Sequence, residues 1–371
     1  MEKVTAERNV TAVGSVTSGF LGTMRTSSEV DSSTRKGTRS TNGPMRIVAF
    51  FCFTILAIFA CDWLIDSGLR RVDSGPFGEL NRIVDGEINA SVLITGSSRA
   101  VNHYDPRVIT SRTGHTAYNI GINGSQTDMQ LAILKTYLNH NTVPSVVVHN
   151  LDSFAFVTSR AGVAFAEGYL PYLDEAPIYE TLRSVDDNWW KHRYLPLYGY
   201  AVDGMGLSWL VGLRRWVGIN PKEDRYLGFG PRSDNWTDDF ERFRRSNPNG
   251  VRFEVEPQGV LDLEQLVVLC QSRGIQVVLV YSPVYYEMQK LELDRDATFE
   301  RFSEIASRHR ILLWDYSRSP ISFNRDYFAN SQHLNRKGAA LFSEDLAKKI
   351  ANDVLGETRR NVGGRADGRQ N

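Results

Sequence analysis

The chain has 371 residues, 42% of them hydrophobic and 11% aromatic, enough apolar side chain to bury a sizeable core. Its 43 Lys and Arg balance 43 Asp and Glu and are spread along the sequence, which argues against a nucleic-acid partner bound by phosphate neutralisation. Three cysteines, Cys52, Cys61 and Cys270, form no CxxC pair, so neither a disulfide scaffold nor a zinc site is suggested.

Residues 1–45 open the chain with fifteen Ser or Thr and five Gly in the first 44 positions. Such a stretch buries too little surface to offset its conformational entropy and is read as a disordered cytoplasmic tail. Next comes an apolar run from Ile47 to Cys61, continued by Trp63, Leu64 and Ile65, which predicts a single transmembrane helix over 46–66. Arg35, Lys36, Arg39 and Arg46 precede it and Asp62 and Asp66 follow, although Arg70 and Arg71 weaken the contrast. The charge bias puts the N-terminus in the cytoplasm and residues 67–355 on the periplasmic side of the inner membrane. A second reading starts at Met45 and makes the run a secretory or lipoprotein signal ending at Ala60 before Cys61; it exports the domain equally.

From about Glu79 short β-rich runs alternate with helical patterns. Strands are predicted over 91–95, 116–120, 145–150, 275–281 and 311–314, and helices over 105–112, 125–139, 259–273, 298–309 and 335–354. This alternation predicts a parallel sheet with helices on both faces. The stretch between the third and fourth strands is too long for an ordinary connection and reads as an insertion over about 155–258, with helical stretches near 178–190 and 211–217. Its Trp189, Trp190, Trp209, Trp216 and Trp236 are read either as the small core of a lid or as a sugar-stacking cleft. Residues 356–371, rich in Gly and Arg, read as a solvated tail.

The chemistry-bearing residues fall at the carboxyl ends of the strands, where a parallel sheet opens its ligand crevice. Gly96-Ser97-Ser98-Arg99 follows the first strand, and a helix starting there would favour a developing anion beside Ser98. Neither GxGxxG nor a Walker Lys is present to support a nucleotide site. Asn119-Ile-Gly-Ile-Asn123-Gly124-Ser125 follows the second strand; Gly124 allows a backbone N–H to approach a substrate oxygen, and Asn123 or Ser125 is equally readable as a helix cap. Asn150 and Asp152 end the third strand. His333 stands in a loop before the last helix, where it is a candidate general base for Ser98. Arg99 is either an anchor for an anionic substrate group or one half of an ion pair closing the first helical turn.

Taken in order, Gly-Ser-Ser, Asn119-x-x-x-x-Gly124, the polar end of the third strand and His333-x-Asn335 resemble the four sequence blocks of the SGNH, or GDSL, hydrolases. The wording Gly-Ser-Ser-Arg, Tyr-Asn-x-Gly-x-x-Gly and His-Leu-Asn-x-x-Gly-Ala is similar to a membrane-anchored bacterial branch linked to exopolysaccharide and cell-envelope acyl modification. The resemblance covers roughly 90–152 and 275–350 and leaves the insertion outside it. It implies a three-layer α/β sandwich around a five-stranded parallel sheet of flavodoxin-like order. Ser98 would be the nucleophile and His333 the base, with the amides of Ser98 and Gly124 in the oxyanion hole; the third-block asparagine of that hole corresponds to Asn150, or its role falls to Asp152. Apart from the resemblance, Asp152 is read with Arg99, in its anchoring reading, as a substrate-binding residue.

The resemblance further implies an esterase or O-acyltransferase, with acetyl the expected group, acting on a cell-surface polysaccharide without metal or organic cofactor. Envelope polysaccharide assembly proteins are the expected partners. One departure stands out: the family has Asp three residues before the histidine, and this chain has Asn330. Since an amide cannot stabilise an imidazolium as a carboxylate does, either Asp326 or a backbone carbonyl orients His333, or catalysis is slow, or the domain has become an inactive glycan-binding scaffold.

Overall fold

A computed structural model describes residues 43–202, 206–222, 225–233 and 235–356. The tails read over 1–45 and 356–371 fall almost wholly outside these residues. The chain divides into two units, one ending at Phe51 and the other starting at Cys52. Helix α1 (Gly43–Leu69) is the apolar run, and its stretch Pro44–Leu69 is long and apolar enough to cross a membrane.

The second unit continues with α2 (Gly75–Val84), β1 (Val92–Thr95), α3 (Ser98–His103), α4 (Pro106–Thr113), β2 (Ala117–Asn119), α5 (Thr127–His140) and β3 (Val146–Asn150). Between β3 and α11 (Pro257–Ser272) the chain forms α6 (Ala176–Val185), α7 (Trp189–Tyr194), α8 (Tyr198–Ala201), α9 (Ser208–Trp216) and α10 (Asp239–Ser246). It closes with β4 (Gln276–Tyr281), α12 (Tyr286–Gln289), α13 (Arg295–His309), β5 (Leu312–Asp315) and α14 (Arg336–Lys349), which runs on into a π-helical turn at Ile350–Leu355.

All five strands are parallel, in the order β2-β1-β3-β4-β5. From β1 the chain steps one way to β2, then returns across β1 to β3 and continues outward. Because crossovers are right-handed, that reversal puts the helix after β1 on one face and those after β2, β3 and β4 on the other. The packing follows: α4 lies against α14, while α5 lies against α11 and α11 against α13. The result is a three-layer α/β sandwich. Its inner strands Val92-Leu-Ile-Thr95 and Val146-Val-Val-His-Asn150 are buried along their whole length, as strands covered on both faces must be, whereas the edge strand β5 leaves Leu312 40% exposed. The reversal between β1 and β3 is the switch point at which such sheets open a crevice.

Local chemistry sets the boundaries. Asp105 caps α4 through the Arg107 N–H at 2.9 Å, Pro106 fits its first turn, and Gly114, at φ 72°, ends it. The helical stretch expected over 178–190 breaks at Val185, because the Asp186 carboxylate accepts from the Asn188 N–H at 2.8 Å and turns the chain between α6 and α7. Neither Asn123 nor Ser125 caps α5: that helix starts after Gln126, and the Ser125 hydroxyl donates back to Ile122 O at 2.8 Å. The aromatics of the insertion do not form one group. Trp189 is buried, Trp236 packs edge-on against Phe240 and Tyr285, and Trp190 and Trp216 are exposed.

Candidate functional site

Gly96 leaves β1 at φ 139°, and a Cβ there would lie 2.9 Å from the Asn150 Cβ and 3.0 Å from that of Ala100. Only glycine lets the chain turn this tightly between β3 and α3. Ser97 then caps α3, its hydroxyl accepting from the Arg99 N–H at 3.4 Å, and Ser98 becomes the first helical residue with its side chain half-buried.

Opposite Ser98, the loop before α14 carries His333. Two backbone ties place it: Ala329 N–H donates to His333 O at 2.9 Å, and Leu334 N–H donates to His103 Nε2 at 3.0 Å. Asn335 caps α14 through Gly338 N–H at 3.0 Å while its own amide donates to Asp326 O at 2.8 Å. The His333 Nε2 lies 2.8 Å from Ser98 Oγ, and Nδ1 lies 3.0 Å from Asn330 Oδ1. That oxygen also accepts the backbone N–H groups of Gln332 and His333, at 3.0 and 2.9 Å. Because backbone N–H groups only donate, the atom facing His333 is the amide oxygen, so Nδ1 carries the proton and Nε2 is free to accept from Ser98.

The Asp326 carboxylate does not take this place. It is exposed on a short 3-10 turn, and its backbone carbonyl serves the Asn335 cap. The orienting group is therefore the side-chain carbonyl of Asn330, neither Asp326 nor a backbone carbonyl. Removal from water lowers His333 from 6.5 to about 3, reinforced by the nearby Arg232 guanidinium, so the imidazole is neutral at ordinary pH.

Neither the Ser98 nor the Gly124 N–H donates to an acceptor among the described residues. The Gly124 loop runs beside the turn after β1, since Ile122 N–H donates to Gly96 O at 3.0 Å and a Cβ on Gly121 would lie 2.8 Å from that of Ala100. The side-chain carbonyl of Asn150 accepts from Tyr104 at 2.9 Å and Ser282 at 2.7 Å, and its amide makes only long contacts, to Leu151 O at 3.3 Å and Asp152 at 3.4 Å.

Of the two readings of Arg99 the structure shows the ion pair, and the substrate-binding role expected of Asp152 is corrected. Both are buried, at 3% and 2% exposure, with Arg99 Nη1 3.4 Å from the Asp152 carboxylate. The guanidinium also donates to the Ser282 carbonyl and hydroxyl and sits 4.4 Å over the Tyr281 ring. Burial pushes Asp152 up, with Arg99 opposing. The pair braces the floor beneath α3, and neither side chain is open to a substrate.

An exposed cation whose charge reaches His333 is Arg232, from the insertion. Its Nε donates to Asn102 Oδ1 at 3.0 Å. Asn102 stands one helical turn after Ser98, on the same side of α3. Arg232 gives no motif signal in the sequence, because only the fold brings the insertion to α3. His103 was equally hidden: it lies on α3 with Nδ1 2.9 Å from Ser282 Oγ, and burial holds it well below 6.5. Among the described residues no group of three or more His, Cys, Asp or Glu could hold a metal ion.

No family model matches the chain, and no curated protein matches it. Among solved structures it is similar to a GDSL-like lipase from Bacteroides thetaiotaomicron, at 10% identity over 70% of this chain and 88% of that one, with a TM-score of 0.32. It is also similar to a protein assigned as an acylhydrolase from Bacteroides fragilis, at 14% identity over 71% and 87%, with a TM-score of 0.36. A third, assigned to the G-D-S-L lipolytic family in Desulfitobacterium hafniense, is 11% identical over 70% and 98%, with a TM-score of 0.34. In class the molecule is an α/β sandwich with a seryl hydroxyl after its first strand and a histidine before its last helix. The resemblance is to the SGNH, or GDSL, hydrolases.

Proposed function

We propose that the protein is a membrane-anchored, exported serine esterase or O-acyltransferase that removes or transfers an acyl group, acetyl by its resemblance, on a cell-surface polysaccharide. The observation that carries this reading is the 2.8 Å contact between Ser98 Oγ and His333 Nε2, with the tautomer fixed by Asn330. Ser98 Oγ attacks the ester carbonyl carbon as its proton passes to His333 Nε2. The oxyanion is received by the N–H groups of Ser98 and Gly124; Asn150, 1% exposed with its amide turned to Leu151 O and Asp152, is as closed to substrate as Arg99 and Asp152 and corrects the expected oxyanion-hole role. On collapse the C–O bond to the sugar breaks, and His333 returns the proton to the leaving alkoxide. A water or a second sugar hydroxyl, giving its proton to His333 Nε2, then takes the acyl group from Ser98 as the acyl–Oγ bond breaks, and His333 returns that proton to Ser98 Oγ. Arg232 replaces Arg99 as the group that meets an anionic substituent of the polymer. Envelope polysaccharide assembly proteins are the proposed partners, with the site on the periplasmic side of the inner membrane.

A second reading, an inactive glycan-binding scaffold, is favoured by Asn330, which gives an imidazolium no carboxylate. Treating the full chain in detergent with a fluorophosphonate probe and 4-nitrophenyl acetate separates the two. Labelling and ester cleavage that disappear in Ser98→Ala and His333→Ala establish the enzyme. Labelling no stronger than in Ser98→Ala, from protein with a cooperative melt, establishes the scaffold.

A further inference from the structure

The last turns of α1 are part of the folded domain. Leu69 is fully buried and Ile65 nearly so, and the Asn81 amide donates to Leu69 O at 3.0 Å and Val72 O at 2.8 Å. Helix α9 of the insertion packs directly on this segment. A Cβ on Gly68 would lie 2.1 Å from Gly212 O, and one on Gly212 would lie 2.5 Å from Ile65 O, so the two backbones touch where only glycine fits. Around that crossing Trp216 Nε1 donates to Leu64 O at 2.9 Å and Arg215 Nε to Arg71 O at 2.7 Å. The Trp63 and Trp216 rings meet at 6.1 Å, and the Arg71 guanidinium lies 3.8 Å over Trp216.

The outer side of α9 and the turn after it is unusually apolar for a surface in water. Val217 is 74% exposed, Leu207 66%, Ile219 54% and Trp216 42%. What covers this patch follows from what it is joined to. The 26 residues of the span measure about 39 Å at 1.5 Å per residue, against a hydrocarbon core of about 30 Å, so its last turns, from about Leu64 on, stand in the headgroup layer. Trp216 is bonded to Leu64 in those turns, and the patch around it therefore lies at the same depth. Tryptophans and arginines side by side are what that layer accommodates, the rings at the boundary and the guanidinium groups at the phosphates.

We infer that α9 and the turn through Ile219 lie in the bilayer interface, forming a collar around the emerging span through which the insertion rests on the lipid headgroups. This rests on the anchored reading of α1 proposed above. The collar gives the insertion a second task besides bringing Arg232 near His333.

The test uses the full chain with Cys52 and Cys61 replaced by Ser and one new cysteine at a time, Leu56→Cys, Val217→Cys or Leu261→Cys, each carrying an environment-sensitive fluorophore. The protein is reconstituted in phosphatidylcholine and phosphatidylglycerol vesicles, with and without nitroxide placed high on the acyl chain or at its middle. The expected result is that nitroxide lipid removes about half or more of the emission at 56 and at 217 and leaves 261 unchanged. Quenching at 56 with none at 217 would overturn the collar while leaving the anchor standing. An unquenched fluorophore at 56 would overturn the anchored reading itself, and the collar with it.

Discussion

Asn330 reproduces the geometry of a carboxylate without its charge. One oxygen accepts from two backbone N–H groups and from His333 Nδ1, which is enough to hold the ring and its tautomer but not to stabilise the imidazolium that the proposed attack by Ser98 would form. In a serine protease the acid-to-amide change costs about 10⁴ in turnover. Restoring the acid with Asn330→Asp should keep all three hydrogen bonds, raise the His333 pKa, and increase kcat for 4-nitrophenyl acetate by about tenfold or more. Steady-state kinetics and an NMR titration of His333 check both parts, and a lower kcat together with an unshifted pKa would show that Asn330 has another task. Arg232 makes a second prediction at this scale. Arg232→Ala should raise KM about tenfold for an acetylated uronate oligomer and leave KM for the neutral nitrophenyl ester unchanged, a split that loss of folding would not produce.

At the scale of elements, the turn from β1 into α3 is where the sheet becomes a site. Gly96 is held at φ 139° with its α-carbon against Asn150, and Ser97 caps the short helix that presents Ser98. Gly96→Ala must strain the backbone and press a methyl into Asn150, so it should cost about 3 kcal/mol in urea unfolding and abolish fluorophosphonate labelling. A variant as stable and as reactive as the parent would remove the turn from the account. This element was only half legible in the sequence: Gly-Ser-Ser after an apolar run marks a turn at a strand end, but six helical residues are too few to show a period. The longer elements, with apolar positions recurring over several turns, are found within a few residues of where the sequence puts them.

Among the described residues four histidines, His103, His149, His192 and His333, are buried or half-buried and held below their ordinary value by burial. Burial lowers His103, takes His149 to about 4 and His333 to about 3. Each binds its proton more readily in the unfolded chain, where the value is near 6.5, than in the folded one. Their neutral form therefore favours the fold fully above about pH 6.5, and that support is lost as pH falls toward the folded-state values, at about 1.4 kcal/mol per pH unit for each group. Asp152, Asp262 and Glu292, shifted upward by burial, act in the opposite direction. The histidine contribution is isolated by His149→Gln, whose urea midpoint should fall less steeply than the parent's between pH 6.5 and 4.5. Equal slopes would contradict a neutral His149 in the core.

By itself the sequence determined the five strands, the longer helices beside them and the ends of the strands at which polar residues collect. Periodicity and turn chemistry act over a few residues, and their rules apply wherever the segment sits in the fold. It also singled out Ser98 and His333, because an ordered set of motifs survives the long insertion between them. The tertiary structure alone decided that Arg99 and Asp152 are buried in an ion pair and that the charge of Arg232 reaches His333. It also decided that Asn330, instead of Asp326, orients the base, and that α9 is seated on the end of α1. Each of these depends on which side chains meet once the chain is folded, across more than a hundred residues for Arg232 and Asn102 and for α9 and α1, and on how much water is left around a charge once they do.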